Sequence, residues 1–451
     1  MEVRRGRLFA VLLVGFVLAS VVLGVIVITR LLDDNEGRRS AASPPAVPTS
    51  DGGDIAPPPD INVPPAEDRQ GVTGSEIVVG AVSPISGVLP FPGGTMMPAD
   101  YLKMLNDRGG VNGRKFRYIT YTDNTTDVAE GVTACRRLNE QDKFFASVGG
   151  AQITSARECW PYYQEHGVPV IGDWSAHTAN YQTPVAFAPG VHPGAACKDG
   201  LDYTMRTEYK VKKWAFFSEN SSPSIDCKQG EETAVRHNGG ENVFQSFQPL
   251  GYADYTGEVV RAHQAGAEAL ACSCDPATAA RILAAAARQG WKPPMVANHH
   301  AFGKVLSDTL GKDSDVIRFS NQGQPGFNET DNPLMAQMQQ AIAKYDGNRT
   351  PPDGSFVPGW VGARLFHVAL EAIGRDVSRT RLMGWLAAQD RLDIIGGVPL
   401  DFRPQTALPN WYRIPNRTAN VTQMSDGREI RRSGYFPGID GNNPDPLAWD
   451  K

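Results

Sequence analysis

The chain has 451 residues, of which 21% are charged and 41% are hydrophobic, as is usual for a soluble globular protein. This length permits about three domains, or two large ones with cores of normal size. The formal net charge of -5 provides no basic surface, so nucleic acid is not an expected partner.

An uncharged, strongly apolar run occupies residues 8–28 and is long enough to cross a membrane as a helix. Arginines 4, 5 and 7 precede it, as expected for a cytoplasmic flank. We therefore expect residues 1–32 to hold the rest of the chain on the extracytoplasmic face of the cell membrane. The alternative is a cleaved signal peptide, which would leave the protein secreted.

A segment rich in proline, alanine and serine follows at residues 33–70, and its composition predicts an extended linker without a packed core. Beyond it, short apolar runs alternate with amphipathic stretches, which predicts β-α-β units and a parallel sheet. The predicted strands of this first series are 77–82, 116–121, 144–148 and 168–171, and the predicted helices are 98–106, 128–138 and 154–166.

The same pattern restarts after Pro189 and predicts a second parallel sheet. Its predicted helices are 195–209, 228–237, 255–264 and 276–288, and its strands are 214–217, 242–247, 267–272 and 295–298. Helical stretches at 332–346 and 360–374 are expected to return to the first sheet, and residues 401–404 to cross back. The fold class is therefore α/β, with two doubly wound parallel-sheet lobes. Lobe 1 is predicted to contain residues 71–190 and about 320–403, and lobe 2 residues 191–319 and 404–451.

Five short motifs follow one another along residues 73–405. They are IVVG with PISG at 77–87, GGVNGR at 109–114, YTDN at 121–124, DYT at 254–256, and the alanine-rich segment 277–294. In this order and spacing they resemble the leucine/isoleucine/valine-type periplasmic binding proteins. The resemblance implies two α/β lobes joined by three hinge crossings, with a ligand cleft between the lobes.

The function that this resemblance implies is that of the solute-binding component of an ABC-type importer. The expected partners are ABC permease subunits and a small ligand, either an amino acid or a related polar solute such as an amide, a urea-like compound or a carboxylate. No nucleophile elbow, phosphate loop or zinc-protease motif occurs, so an enzyme is not expected, and neither is a cofactor or metal. A ligand-sensing ectodomain that signals through a partner protein is the alternative.

Candidate ligand residues of lobe 1 follow the predicted strands, where ligands bind in open parallel sheets. Hydroxyls at the start of the helix after residue 153 could bind a carboxylate, although helix capping is the simpler role for them. In the family, the loop after the next strand supplies a further hydroxyl, which Ser175 or Thr178 matches. The lobe 1 candidates are Ser86, Gln152, Thr154, Ser155, Trp174, Ser175 and His177.

Lobe 2 departs from the amino-acid-binding pattern of the family. Members often have Tyr-Gly where this chain has Cys227, and an acidic residue where this chain has Asn298, His299 and His300. A neutral histidine cannot neutralise a ligand ammonium, although Asp275 could supply the missing acid. We therefore predict Cys227, Asp275 and His299 as ligand residues and do not assume a branched-chain amino acid.

Six cysteines lie beyond the apolar run, where disulfides persist in exported proteins. The family resemblance implies a Cys135–Cys159 bridge. Cys197 could pair with Cys227, or Cys227 could pair with Cys274, and the sequence does not decide between these. The C-x-C pair of Cys272 and Cys274 lacks the second ligand pair that a zinc site requires.

Overall fold

A computed structural model describes residues 61–87, 89–123, 127–174, 178–404 and 411–437. Within these ranges, no helix combines the length and the apolarity that a membrane crossing requires. The expected anchor at residues 8–28 and residues 33–60 of the expected linker lie outside the described ranges.

The first sheet has five parallel strands in the order β2-β1-β3-β4-β5. Strand β1 lies inside it, and six of its seven residues are buried, which explains its nearly continuous apolar sequence. The elements in chain order are β1 (Glu76–Val82), α1 (Gly93–Asp107), β2 (Lys115–Tyr121), α2 (Val128–Glu140), β3 (Ala146–Val148), α3 (Ala156–Glu165), β4 (Val170–Ile171), α4 (Ala179–Gln182) and β5 (Ala186–Phe187).

Helix α1 starts five residues before the predicted position and contains Pro98 in its interior. Proline has no N–H group, so the carbonyl of Gly94 loses its intrahelical donor. The N–H of Gly150 donates to that carbonyl instead, at 2.7 Å, and ties the helix to the loop after β3. The proline was read as a helix start, whereas a tertiary hydrogen bond allows it inside the helix.

The second sheet runs β12-β11-β10-β9-β8-β6-β7, with β13 paired to β11. Strands β6 to β10 are parallel, as expected from the alternating pattern. The elements are α5 (Pro193–Thr207), β6 (Lys213–Glu219), α6 (Ser222–His237), β7 (Glu241–Gln248), α7 (Thr256–Gln264), β8 (Ala269–Ser273), α8 (Pro276–Arg288), β9 (Met295–Asn298), α9 (Lys304–Leu310) and β10 (Ile317–Asn321).

The prediction of purely parallel sheets was wrong at the end of the chain, where β11, β12 and β13 pair antiparallel. The pair Asp426-Gly427 joins β11 to β12, and both residues have positive φ. Two-residue turns of this kind connect antiparallel strands directly. The last elements are α10 (Pro333–Ala341), α11 (Phe356–Ile373), α12 (Arg379–Ala387), β11 (Thr418–Ser425), β12 (Arg428–Arg431) and β13 (Phe436–Pro437).

The described chain passes between the two sheets three times: after β5, after β10 and before β11. Helices α10 and α11 pack on α1 of the first sheet, while β11 joins the second. We call the first sheet with its helices lobe 1 and the second sheet with its helices lobe 2. The carboxyl ends of the parallel strands in each lobe therefore border a common cleft.

Candidate functional site

The lobe 1 side of the cleft is an apolar wall built from loops that follow its strands. Phe91 comes after β1, Ile153 after β3 and Trp174 after β4, and each is less than a tenth exposed. Together with Leu89 they form a hydrophobic cluster separate from the core of the lobe. The Trp174 N–H donates to the carbonyl of Gly150, a residue with φ of 103° that glycine adopts readily.

The lobe 2 side is polar and faces this wall across a cavity of about 250 Å³, part of which is open to solvent. Its residues again follow the ends of parallel strands, as expected for a ligand site in an α/β fold. They are Glu219 at the end of β6, Ser221, Pro223 and Ser224 at the start of α6, Cys274 and Asp275 after β8, and Asn298 and His300 after β9.

Direct contacts join the two walls. The ring of His300 lies 4.4 Å from that of Trp174 and 6.1 Å from that of Phe91, between centroids. Behind Trp174, its indole N–H donates to Gln322 Oε1 at 3.1 Å, in the segment where the chain returns to lobe 1. A second link joins the lobes where the Gly354 N–H donates to the carbonyl of Phe302 at 3.2 Å. The lobes therefore touch across the cleft.

His300 is a buried, neutral histidine. Burial, and to a lesser extent the neighbouring His299, lowers its pKa to about 3. Its Nδ1 lies 3.3 Å from Asn298 Nδ2, whereas its Nε2 has no hydrogen-bond partner among the described residues. The ring thus brings one uncommitted polar atom to the cavity.

Glu219 and Asp275 form a close pair of carboxyl groups at the bottom of the cleft. The Asp275 N–H donates to Glu219 Oε2 at 2.8 Å, and Thr278 Oγ1 lies 2.8 Å from Glu219 Oε1 and 2.7 Å from Asp275 Oδ2. Asp275 also caps α8 by accepting from the N–H groups of Ala277 and Thr278. Burial and the adjacent Asp275 raise the pKa of Glu219 well above its usual range, so the pair holds a proton.

A sequence model described as periplasmic binding protein matches residues 76–427 of the chain. The chain belongs to the periplasmic binding protein family. Its type is the one that binds leucine, isoleucine and valine, and this family consists of non-enzymatic, extracytoplasmic carriers. The matched range includes both lobes and every described residue of the cleft, so the resemblance read from the short motifs is confirmed.

Solved structures share the fold of this binding protein at low sequence identity. A fatty acid ABC transporter substrate-binding protein from Thermomonospora curvata is 20% identical, with a TM-score of 0.71, covering 83% of this chain and 96% of that one. A branched chain amino acid ABC transporter from Thermus thermophilus with bound valine is 18% identical, with a TM-score of 0.69 and coverage of 81% and 97%.

A solute-binding protein from R. palustris in complex with benzoate is 16% identical, with a TM-score of 0.65, covering 79% of this chain and 95% of that one. A search of the curated proteins gives no match. At these identities the structural likeness establishes the fold of the binding protein and leaves its ligand open.

Two predicted ligand residues of lobe 1 point away from the cavity. Gln152 Nε2 lies 2.9 Å and 3.2 Å from the sulfurs of Cys135 and Cys159, and 3.0 Å from Ser155 Oγ. Ser155 Oγ in turn donates to Asp123 Oδ2 at 3.1 Å. Both side chains are fully buried and bind structural partners within lobe 1. Neither is among the residues that line the cavity.

The other lobe 1 candidates have different positions. Trp174 lines the cleft wall, as predicted for it. Thr154 precedes α3, and its Oγ1 is buried without a hydrogen-bond partner in the described ranges. Ser86 is exposed in the loop after β1. Ser175 and His177 lie outside the described residues.

His299, the predicted ligand residue of the His-His pair, faces the interior of lobe 2. Its Nε2 lies 2.9 Å from Glu429 Oε1, and both side chains are buried. A 3-10 turn at His299–Ala301 directs the two histidines to opposite sides, and His300 is the one that reaches the cleft. The sequence contained the pair but not the partner of each ring, because Glu429 is 130 residues away.

All six cysteines are paired. The structure contains the Cys135–Cys159 bridge that the family resemblance implied, and it joins Cys197 to Cys227 rather than Cys227 to Cys274. Cys272 and Cys274 bridge each other. Cys227 is therefore held inside lobe 2 as a structural residue and is not among the residues that line the cavity. Asp275, by contrast, does line it.

Sequence reasoning did not select Glu219, Phe91 or His300. A usable signal existed for Glu219, because it follows the predicted strand 214–217 directly, just as Asp275 follows the strand 267–272. Phe91 lies nine residues beyond the end of β1, so its position in the cleft depends on the path of a loop. No local pattern fixes such a path.

Proposed function

We propose that this binding protein captures a small solute between its lobes and delivers it to the permease subunits of an ABC-type importer at the membrane. The observation that supports this most is the interlobe cavity, whose apolar wall comes from lobe 1 and whose polar wall comes from lobe 2. A ligand that contacts both walls binds better when the lobes are together, and so it shifts the protein towards the closed arrangement.

Buried polar atoms without partners support a ligand role for the cavity rather than a purely structural one. His300 Nε2 and Asn298 Oδ1 border it, and neither has a hydrogen-bond partner in the part of the chain that the structure describes. Such groups carry a desolvation cost of about 1–3 kcal/mol each unless something binds them. A solute that pairs with them would offset this cost.

The ligand residues that we propose are Trp174 and Phe91 on the apolar wall and Asp275, Glu219 and His300 on the polar wall. Thr154 and Ser86 remain candidates for the mouth of the cleft, and so do Ser175 and His177. The related structures are described as carriers of a fatty acid, of valine and of benzoate, so a test panel must include aliphatic acids, amino acids and aromatic acids.

Thermal denaturation of the purified protein against such a panel, extended with amides, ureas and amines, tests the proposal. A solute that binds only the folded state at a hundredfold excess over its Kd adds about 2.7 kcal/mol to the free energy of unfolding. We expect at least one class to raise Tm in the native protein but not in Trp174→Ala.

Trp291→Ala is the matched control, because Trp291 packs on His263 outside the cleft. It should respond to the solute as the native protein does. If a well-folded native protein responds to no class of solute, the transport role is wrong.

A further inference from the structure

The end of β9 presents two uncommitted polar atoms to the cavity. Asn298 is 3% exposed and His300 is 6% exposed, so water reaches neither side chain freely. Asn298 Oδ1 and His300 Nε2 both lack a hydrogen-bond partner among the residues described, and both residues line the cavity. A native protein seldom leaves two such atoms together without a ligand or water to satisfy them.

The contact between these two residues fixes what each free atom can do. Asn298 Nδ2 donates to His300 Nδ1 at 3.3 Å, so the neutral ring carries its proton on Nε2. His300 therefore offers a free N–H donor. Because the amide nitrogen of Asn298 is used in this bond, its free atom is the oxygen, an acceptor. The end of β9 thus presents one donor and one acceptor side by side.

The charges around this donor and acceptor disfavour an ionised ligand group. No lysine or arginine is among the described residues that line the cavity, and the acidic pair Glu219 and Asp275 lies in the same wall. A ligand carboxylate placed here would lose its hydration without gaining a cationic partner. An ammonium is also poorly served, since Asp275 already caps α8 and both acids contact Thr278.

The opposite wall indicates the rest of the ligand. Phe91 and Trp174 meet edge to face, with centroids 5.3 Å apart, and Ile153 and Leu89 complete an apolar surface. These side chains offer dispersion contacts and exclude water but supply few hydrogen bonds, so they suit a compact apolar body such as a phenyl ring or a branched alkyl group.

We infer that the cleft takes an uncharged solute in which a primary carboxamide or urea-type group is attached to a small apolar body. The carbonyl oxygen of the solute accepts from His300 Nε2–H, and its NH₂ group donates to Asn298 Oδ1. The apolar body lies against Phe91 and Trp174. This inference rests on the proposed function and narrows it to one class of ligand.

Isothermal titration calorimetry at pH 7 with matched probes tests this assignment in the native protein. Benzamide, phenylurea and isovaleramide represent the inferred class, while benzoate, isovalerate, benzylamine and valine have similar shapes but carry charges. We expect the best amide or urea to bind at least about tenfold more tightly than its charged counterpart, the effect of one lost hydrogen bond with its partner left unpaired.

Variants identify the atoms involved. His300→Phe keeps an aromatic ring but removes the N–H donor, and should weaken amide binding by about tenfold or more. His263→Phe, at an exposed histidine outside the cleft, should leave amide binding unchanged. Circular dichroism and urea denaturation would establish that each variant is folded, and the selectivity of the native protein does not depend on any variant.

Each outcome separates this inference from the proposed function. If benzoate, benzylamine or valine binds as tightly as its neutral counterpart, the transport proposal stands and the inference of an uncharged ligand is wrong. If an amide binds equally well to the native protein and to a folded His300→Phe variant, the assigned donor is wrong. If no probe and no member of the wider solute panel binds, both proposals fail.

Discussion

Replacing His299 with leucine tests whether the two adjacent histidines have different roles. Glu429 is buried and accepts hydrogen bonds from His299 Nε2, from the N–H of Phe327 at 2.7 Å and from Thr422 Oγ1 at 2.7 Å. Burial opposes its ionisation most strongly, but His299 and these hydrogen bonds together lower its pKa. A lowered pKa stabilises the fold above the unfolded value of 4.5, and this contribution is lost as pH falls through the folded value.

The leucine variant leaves a buried carboxylate without its histidine partner. We expect it to lower the free energy of unfolding by about 3 kcal/mol at pH 7, the lower end of the cost of breaking a buried ion pair. The loss should be roughly half as large at pH 5, because Glu429 can then take up a proton in the variant. Removing both partners, as in His299→Leu with Glu429→Gln, should restore much of the stability.

Urea denaturation followed by circular dichroism at pH 7 and pH 5 measures these differences. The control is His263→Leu, at an exposed histidine, which should change the free energy of unfolding by no more than about 0.5 kcal/mol. A His299→Leu protein within about 1 kcal/mol of the native one at pH 7, the range of an exposed pair, would refute a buried structural pairing. So would a double variant that is no more stable than the single one.

Serines at both positions of the Cys135–Cys159 bridge, which are 24 residues apart, should lower the free energy of unfolding by about 3.5 kcal/mol, and serines at Cys272–Cys274 by only about 1.6 kcal/mol, because the closed loop is shorter; urea denaturation gives both values, and equal losses would contradict this ranking. Burial raises the pKa of Glu231 to about 8, so its contribution is fully present below pH 4.5 and is lost as pH rises towards 8; Glu231→Gln should remove up to about 1.4 kcal/mol of this loss per pH unit, and an unchanged pH profile of stability would rule the effect out. Since burial lowers the pKa of His300 to about 3, its contribution is complete above pH 6.5 and declines as pH falls towards 3; His300→Phe should flatten the stability profile between pH 6 and pH 4, and a profile as steep as the native one would show that the ring is not buried in its neutral form.

The alternation of apolar strands and amphipathic helices was enough to predict the parallel part of both sheets. That pattern reflects local burial, which each strand such as Glu76–Val82 carries in its own sequence. The antiparallel end of the second sheet was missed although its Asp426-Gly427 turn was visible as a hairpin signal. The flanking segment was not tested for strands, because no amphipathic helix separates them.

The candidate site was predicted best where position along a strand determines it. Trp174 and Asp275 were expected in the cleft because each follows the carboxyl end of a parallel strand, and both lie there. The choice between His299 and His300 depends instead on a 3-10 turn and on a carboxylate 130 residues away. Gln152 was lost to the cleft for a similar reason, because its amide binds a disulfide that only the folded lobe brings near.

Calorimetric titration of the native protein and of Trp174→Ala with the complete solute panel tests the central claim most directly. The account predicts that one class of small solute binds the native protein with one site per chain. It also predicts that Trp174→Ala weakens this binding by about tenfold or more, while Trp291→Ala does not. A solute that binds the native protein and Trp174→Ala equally well would place the site outside the cleft, and a folded native protein that binds none of them would contradict the account.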